Sequence, residues 1–376
     1  MIPIRDFTPL PTEVRGAVLS IGNFDGVHRG HRVLLERVRA LANQLGGPAL
    51  ALTFDPHPLA LLKPDRVPAT LTRLARRVQL LRQAGMDEVA VFQTGPWLLN
   101  LTAREFFDRV LIRQFQARGI VEGPNFMFGK DRGGDPERLA GWCKESGVVF
   151  EVVAAVREGT VGFEAWRPSE NDPRLLEPSK QAGSQGDPFH APVSSSRIRG
   201  LIDAGRVEEA AHWLGRPHRL EGRVVGGAQR GRELGFPTAN LEAIVEMIPA
   251  DGVYAALAHV GPHQRDLDAD PTGRLAEEWE SGRLAPSLLR AAAVHVGPNA
   301  TFGVNQRSVE AFLLDFQGDL YGHRLALDLI AQLRHSQKFD SVEGLIARMN
   351  VDVELTRALT LQPLAEAAWE RRTNLQ

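Results

Sequence analysis

The chain has 376 residues, of which 43% are hydrophobic and 24% are charged, and its net charge is −2. This balance is typical of a globular protein with more than one domain and argues against binding to nucleic acid or anionic membrane through bulk charge. No apolar run approaches the ~20 residues of a membrane span, and the amino-terminal residues lack a signal-peptide pattern. The single cysteine, Cys143, excludes an intrachain disulfide, so we expect a buried thiol in a cytoplasmic protein.

Strand-like and helix-like segments alternate through the first half of the chain. Residues 17–21 form a short apolar run, and a helical pattern follows at Leu34, Val38, Leu41, Ala42 and Leu45. Glycines at 46 and 47 end that helix. Further strands are predicted at 49–54, 87–92, 119–123 and 148–156, and further helices at 102–116 and 136–146. The alternation predicts a parallel sheet covered by helices, with ligands beyond the carboxyl ends of its strands.

A glycine-containing turn with two histidines follows the first of these strands. In GNFDGVHRGH (22–31), His28 and His31 stand three residues apart at the start of the helix, so one helical face can present both. A helix N-terminus attracts phosphate, and Gly22 and Gly26 allow the backbone to approach a ligand closely. Two histidines there could donate hydrogen bonds to charge developing on phosphorus. Two surface histidines, or half of a zinc site, are the alternatives.

The second half changes to a strand pattern without intervening helices. Strands are predicted at 220–225, 252–260, 291–296, 308–316 and 324–330, separated by Gly, Pro and Asp clusters. This pattern predicts a small antiparallel barrel. A terminal helix should follow, with one face formed by Val342, Leu345, Ile346, Met349 and Val353, and with Asp340 and Glu343 spaced as a capping box.

The glycine-rich stretch at 226–242 and one acidic residue carry the chemistry of this half. The stretch is not a P-loop, but its glycines, which include Gly231 and Gly235, leave amides that could cradle phosphates. Thr238 and Asn240 offer oxygens that suit Mg²⁺, and a plain hairpin loop is the alternative. Strand alternation predicts that Glu310 shares a face with Phe312, Leu314 and Phe316, where a carboxylate needs a partner or a task. A structural salt bridge is the alternative there.

The histidine motif resembles a signature of nucleotidyltransferases that transfer a nucleotide group to a phosphate. GNFDGVHRGH is similar to G-x-F-D-x-x-H-x-G-H, and SSSRIR (194–199) is similar to S-S-T-x-[IV]-R, with Ser196 in place of Thr. The resemblance implies that Arg199 holds ATP phosphates and that His28 and His31 act in catalysis. It also implies a nucleotide site formed by Gly22, Phe24, Asp25, Gly26, Ser195 and Ser196. A plain helix cap is the other interpretation of SSSRIR, and both can hold together.

Four further stretches narrow the resemblance to one family. TFDPHP (53–58) and VEGPNFMFGKDRGGD (121–135) resemble segments of bacterial bifunctional riboflavin kinase/FAD synthetases, in which the second stretch helps to bind flavin. The residue at that position here is Asn125, for which turn chemistry is the alternative. The stretches at 226–242 and 309–322 resemble riboflavin kinase motifs. The resemblance implies a nucleotide site with Gly231, Gly235 and Asn240, and Glu310 as the base that takes the riboflavin 5′-hydroxyl proton.

The resemblance therefore predicts a Rossmann-like FMN adenylyltransferase domain at 1–216 and a β-barrel riboflavin kinase domain with a terminal helix at 217–376. ATP, Mg²⁺ and the flavins riboflavin, FMN and FAD are the expected small molecules, without nucleic acid or membrane partners, and weak homo-oligomerisation is left open. A single-activity adenylyltransferase and a non-catalytic flavin sensor are the alternatives. Residues 163–192 and 262–290 look like insertions, the first a mobile loop and the second carrying a short exposed helix. GPNATF (297–302) lacks the family's Pro, which is replaced by Ala300.

Overall fold

The computed structural model describes residues 1–157, 192–226, 234–280, 284, 287–298 and 307–373. These residues divide into two compact units. Unit 1 comprises residues 1–23, 28–58 and 84–194, and unit 2 comprises residues 24–27, 59–83 and 195–376, each only as far as it is described. Within the described ranges, no helix is both long and apolar enough to cross a membrane.

Strands and helices occur in the order that the sequence patterns indicate, with additions. The strands are β1 (Ile2–Ile4), β2 (Val18–Ile21), β3 (Ala49–Asp55), β4 (Glu88–Gln93), β5 (Gly119–Glu122), β6 (Val149–Val152), β7 (His218–Val225), β8 (Ala239–Glu242), β9 (Gly252–His263), β10 (Leu288–Pro298), β11 (Arg307–Leu313) and β12 (His323–His335). The α-helices are α1 (Arg29–Leu45), α2 (Leu59–Leu62), α3 (Leu74–Gln83), α4 (Pro96–Leu99), α5 (Ala103–Glu105), α6 (Pro136–Ser146), α7 (Ser195–Asp203), α8 (Val207–Leu214), α9 (Gln264–Asp268), α10 (Arg274–Glu280) and α11 (Val342–Thr373). Helix α5 continues as a π-helix, Phe106–Gln114.

The core of unit 1 is a parallel sheet with the strand order β1-β4-β3-β2-β5-β6. The inner strands β2 and β5 are buried along their whole length, which explains why they are mostly apolar and lack an alternation of polar and apolar residues. Helix α1 packs on the sheet through Leu35, Val38 and Leu41, and it ends at Gly46, whose φ of 65° lies in the left-handed region. The predicted parallel α/β domain is confirmed.

The core of unit 2 is a closed barrel with the strand order β10-β11-β8-β7-β12-β9, all of whose neighbours pair antiparallel. Alternate residues of each strand point into the barrel, as Val309, Ala311 and Leu313 of β11 do. The predicted barrel with a terminal helix is confirmed. Strand β8 was not predicted, because its four residues lie in the stretch whose glycines indicated a loop.

Residues 59–83, for which the sequence patterns predicted no element, pack with the barrel in unit 2. Met247 N donates a 2.7 Å hydrogen bond to Thr70 O. The Arg73 guanidinium donates to Glu246 through Nε at 2.6 Å and through Nη2 at 3.1 Å, and it reaches Glu221 Oε1 at 3.0 Å. All three side chains are largely buried, and paired geometry of this kind offsets the cost of removing their charges from water.

Three local predictions were wrong or incomplete. Strand β6 ends at Val152 rather than at residue 156, because its ladder with β5 ends there. The terminal helix is capped by Ser341, whose Oγ accepts from Gly344 N at 3.0 Å, rather than by Asp340. The second insertion contains two helices, α9 and α10, and the latter is not wholly exposed, since Trp279 is buried. Residues 158–191, which include most of the first insertion, and Ala300 lie outside the described residues.

Candidate functional site

His28 and His31 lie against each other at the N-terminus of α1. Their imidazole rings are stacked, with centroids 3.6 Å apart and planes inclined by 13°. His28 is the N-cap, and its Nδ1 accepts a 3.3 Å hydrogen bond from His31 N. Because Nδ1 is the acceptor, neutral His28 carries its proton on Nε2, where it is a donor. The prediction that one face of the first helical turn presents both histidines is confirmed.

Gly30 keeps the space that this stacked pair needs. A Cβ at this position would lie 2.7 Å from Val193 Cγ1 and 3.2 Å from the His28 ring. Both contacts are shorter than ordinary van der Waals distances, so any other residue would displace the valine or the imidazole. Gly30 was not among the predicted site residues, although a glycine inside the first turn of a helix is itself a signal of close packing.

In unit 2, the turn at residues 24–27 is held by the carboxylate of Asp25. Phe24, Gly26 and Val27 all have positive φ, at 48°, 88° and 39°. The buried Asp25 carboxylate accepts hydrogen bonds of 3.0–3.1 Å from Leu71 N and Thr72 N. Non-glycine residues with positive φ cost energy and persist only where the surroundings hold them. The Asp25 contacts supply that constraint, so its side chain serves to shape the turn.

The SSSRIR motif reaches the same turn within unit 2. Ser195, the first residue of α7, donates from Oγ to Asp25 O at 2.8 Å. Arg199 donates from Nη2 to Asp25 Oδ2 at 2.6 Å and from Nε to Ala69 O at 2.6 Å. Among the described residues, Arg199 Nη1 has no hydrogen-bond acceptor, and Ser196 is exposed. The structure thus brings Asp25, Ser195 and Arg199 together, with one Arg199 nitrogen left for a ligand.

Asn125 is in a turn that follows β5 in unit 1. Phe126 N donates to Gly123 O at 3.2 Å, which makes Pro124 and Asn125 the central residues of the turn. The Asn125 side chain is exposed, and the rings of Phe126 and Phe128 are stacked with centroids 5.1 Å apart. The turn chemistry expected for Pro-Asn is therefore present, and the exposed amide remains accessible to a ligand.

Glu122, the last residue of β5, is a buried acid that was not predicted as a site residue. It is 2% exposed, and its Oε1 accepts a 2.7 Å hydrogen bond from Ile21 N at the end of β2. Burial raises the pKa of this carboxyl well above its usual range, against the lowering effect of the Ile21 amide. The available signal was a glutamate inside the apolar run GIVEG, since a carboxylate in a buried strand needs a partner or a task.

Thr238, Asn240 and Glu310 come together on the barrel of unit 2. Glu310 on β11 pairs directly with Asn240 on β8, and Thr238 Oγ1 lies 3.5 Å from Glu310 Oε2. Glu310 shares a half-buried face with Phe312, as predicted, but this face points away from the barrel core. Leu314 lies beyond the end of the strand, so the predicted alternation stops at Phe312. A carboxylate on β11, an amide on β8 and the hydroxyl of the residue before β8 fit the oxygen ligands that Mg²⁺ prefers.

The glycine-rich stretch is described only in part. Gly235 has a φ of 85°, a conformation that glycine adopts readily, whereas Gly231 lies outside the described residues. No cluster of three or more His, Cys, Asp and Glu side chains with the geometry of a metal site occurs in the described part of the chain. Cys143 lies buried in α6, as predicted, and burial raises the pKa of its thiol to about 12.

Comparison with known proteins matches the two halves of the chain to two different family models. A family model for FAD synthetase matches residues 10–163, and one for riboflavin kinase matches residues 214–360. A bifunctional riboflavin kinase/FMN adenylyltransferase from Pseudomonas fluorescens is 34% identical over 356 residues, which cover 95% of this chain and 97% of that protein. The protein of the same description from Escherichia coli (strain K12) is 30% identical, with 94% and 95% covered.

A solved structure has a similar fold over nearly the whole chain. It is a crystal structure described as a macrolide-efflux protein from Streptococcus pneumoniae, with a TM-score of 0.71 and 27% identity. The match covers 95% of this chain and 98% of that one. The motifs, the α/β and barrel folds and the full-length similarity to curated relatives confirm the family that the sequence resemblance indicated. The chain belongs to the bifunctional riboflavin kinase/FMN adenylyltransferase family.

Proposed function

We propose that the chain converts riboflavin to FMN with one ATP and FMN to FAD with a second, and that the residues above carry the two reactions. The observation that supports this most directly is that residues proposed to be catalytic come together within each unit. The stacked His28 and His31 stand at a helix N-terminus in unit 1, and Glu310 faces Asn240 across two strands in unit 2. Both groups retain the residues on which the proposed chemistry depends. This argues against a degenerate kinase module and against a non-catalytic flavin sensor.

In the kinase reaction, the Glu310 carboxylate accepts the proton of the ribityl 5′-hydroxyl. The hydroxyl oxygen forms a bond to the γ-phosphorus of ATP while the bond to the bridging oxygen of ADP breaks. Thr238 and Asn240 are the residues that would hold Mg²⁺, which when bound neutralises charge on the phosphates. Gly231 and Gly235 are proposed to approach the nucleotide through their backbone. The Thr238 hydroxyl lies 3.5 Å from Glu310 Oε2 and is proposed to orient the carboxylate.

In the adenylyl transfer, a phosphate oxygen of FMN attacks the α-phosphorus of ATP and pyrophosphate leaves. His28 donates from Nε2 to the phosphate oxygens, and the partial positive charge at the N-terminus of α1 acts in the same direction. Asn125 is proposed to contact the flavin. Arg199 is proposed to hold ATP phosphates through the nitrogen that Asp25 and Ala69 leave unused. The remaining motif residues, Gly22, Phe24, Gly26, Ser195 and Ser196, are proposed to shape the nucleotide site. Catalysis then depends on positioning and electrostatics, without a covalent intermediate.

The functional domains are proposed as 1–216 for adenylyl transfer and 217–376 for the kinase. The two family models support this boundary, since one ends at residue 163 and the other begins at residue 214. We also place the protein in the cytoplasm, where ATP and flavins are available and where a lone, buried Cys143 stays reduced.

The decisive experiment incubates the purified protein with riboflavin, ATP and Mg²⁺ and separates the flavins over time. We expect FMN first and FAD later, with FAD also formed from supplied FMN and ATP. If FAD forms from FMN but no FMN forms from riboflavin, the protein is instead a single-activity adenylyltransferase. Riboflavin binding without either product would identify a flavin sensor.

A further inference from the structure

Strands β2 and β5 separate at their carboxyl ends, at the point where the strand order of the sheet reverses. The pairing of β2 with β3 continues to Ile21 and Leu52, but the pairing of β2 with β5 ends at Leu19 and Ile120. In sheets of this type, ligands bind in the crevice outside the carboxyl ends of the strands at such a reversal. The two strands thus open a fork at the position where the fold favours a ligand.

The Ile21 amide points across this fork. Val18 N donates to Pro48 O and Gly22 N donates to Leu52 O, so the even-numbered amides of β2 face β3. Successive amides of a strand alternate in direction, and Ile21 N must therefore face β5. The ladder with β5 has ended before Ile21, and the Glu122 side chain accepts from this amide at 2.7 Å.

The Glu122 carboxyl is engaged on one side only. Its Oε1 accepts from Ile21, whereas among the described residues Oε2 has no hydrogen-bond partner. The side chain is nonetheless 2% exposed, and in the described part of the chain no arginine, lysine or histidine forms an ion pair with it. A buried carboxyl without a cation is more stable in its neutral form, which still accepts a hydrogen bond through its carbonyl oxygen.

We propose that Glu122 is a positioning residue for adenylyl transfer, which ties the carboxyl ends of β2 and β5 together across the fork. Ile21 immediately precedes Gly22, where the chain leaves β2 toward His28, and Glu122 immediately precedes the turn that carries Asn125. One hydrogen bond thereby sets the separation of the two strand ends from which both groups project. This proposal rests on the adenylyl transfer proposed above.

The proposal requires a neutral hydrogen-bond acceptor and no negative charge. Glu122→Gln keeps a carbonyl oxygen of the same reach, whereas Glu122→Leu fills the space without an acceptor. A displacement of about 1 Å in the groups around a reacting centre can cost on the order of 10²-fold in rate. We therefore expect Glu122→Leu to lower kcat for FMN adenylylation by about 10–100-fold with KM for FMN changed far less, and Glu122→Gln to stay within about threefold of the wild type.

The experiment measures FMN adenylylation and riboflavin phosphorylation on wild type, both variants and Glu151→Leu. Glu151 lies on the neighbouring strand β6, and its carboxylate pairs with Arg37 at the surface. We expect the control to retain adenylylation and all four proteins to retain kinase activity, which reports folding. Equal losses in the Gln and Leu variants would show an ionised, directly acting carboxylate and would overturn the proposal, as would wild-type kcat in Glu122→Leu.

Hydrogen exchange separates this proposal from the proposed function. Peptides that contain Ile21 should exchange faster in Glu122→Leu than in the wild type, and Glu122→Gln should preserve their protection. Unchanged protection in Glu122→Leu would contradict the anchoring role even if catalysis fell. A wild-type protein without adenylylation would refute the proposed function and the positioning role with it, while faster exchange in the Leu variant would still establish the anchor.

Discussion

Arg199 Nη2 lies 2.6 Å from Asp25 Oδ2, which joins two motifs that are 174 positions apart in the sequence. The same guanidinium donates to Ala69 O through Nε, so two of its three nitrogens are committed to the protein. Asp25 in turn binds the amides of Leu71 and Thr72. Arg199 is thus oriented by the turn that it contacts. A side chain with the same charge but without the guanidinium geometry cannot reproduce this arrangement.

We expect Arg199→Lys to lower FAD formation from FMN by about 10–100-fold. Lysine carries the charge as a single ammonium and cannot donate in the fork geometry of a guanidinium. Loss of one charge-assisted hydrogen bond is worth about 1.5–3 kcal/mol, which corresponds to this range. Steady-state adenylylation checks it, with Arg206→Lys as the control, because Arg206 pairs with Glu209 at the surface. A variant within about threefold of wild type would contradict a role for the fork.

Replacing both His28 and His31 with Ala should abolish FAD formation and leave FMN formation nearly intact. Groups that stabilise developing charge contribute on the order of 10²-fold or more each. The control is a double Ala variant at His263 and His323, a second pair of adjacent histidines, whose ring centroids are 5.1 Å apart. Flavin separation after incubation with FMN and ATP measures the first effect. Similar losses of both activities in the folded double variant would refute the division of chemistry between the two motif sets.

Gly30→Ala should lower both the melting temperature and the rate of adenylylation. Alanine in a helix normally stabilises by about 1 kcal/mol relative to glycine, but here its methyl group would lie 2.7 Å from Val193 Cγ1. Gly141→Ala in α6 is the matched control, since a Cβ there meets no atom within 4 Å, and it should raise the melting temperature. Thermal unfolding of both variants checks the opposite signs, and stabilisation by Gly30→Ala would show that the pocket around His28 has room.

Glu310→Gln should lower riboflavin phosphorylation by about 10²–10⁴-fold, the usual value of a general base. Glutamine retains the size and hydrogen-bonding capacity of the side chain but cannot accept the hydroxyl proton. Riboflavin affinity should change little, because the lost interaction belongs to the transition state of phosphorylation. FMN adenylylation should also change little, because it is a separate reaction. Glu242→Gln on the adjacent strand β8, where the carboxylate pairs with Arg223 at the surface, is the control. A loss below about tenfold would exclude Glu310 as the base.

Glu221→Gln should stabilise the protein above neutral pH and have little effect below about pH 4.5, the usual pKa of a glutamate. Burial raises the pKa of Glu221 to about 7, although Arg73 opposes the shift. The folded state therefore binds this proton more tightly than the unfolded state, and the stability of the wild type falls as pH rises through this window. Because Glu221→Gln removes this titration, it should raise the free energy of unfolding by at most about 3 kcal/mol above pH 7.

Denaturant unfolding of Glu221→Gln and wild type from pH 5 to pH 8 measures this difference. It should grow with pH for Glu221→Gln and stay constant for Glu209→Gln, a surface variant whose carboxylate pairs with Arg206. A pH-independent difference for Glu221→Gln would show that Arg73 keeps Glu221 ionised throughout the range.

The sequence by itself determined the elements and motifs whose signals are local. Strand β2, helix α1 and the placement of His28 and His31 on one face follow from an apolar run, a helical period and i, i+3 spacing, all within about thirty residues. The alternation of strands and helices, followed by strands alone, determined the two fold types. Resemblance to known motifs then supplied the reactions and the proposed role of Glu310, which spacing and composition alone left open.

Tertiary structure alone decided which distant groups meet. The Asp25 carboxylate binds Leu71, Thr72 and Arg199 of α7, and the partner of Ile21 is the side chain of Glu122, 101 positions away. Strand β8 forms because Ala239 and Leu241 complete the barrel core between β7 and β11, although its local residues favour a loop. Such contacts depend on the register of the strand ladders and on the closure of the sheet and the barrel. Hydrophobic burial summed over the whole chain stabilises this arrangement, and no local sequence period indicates it.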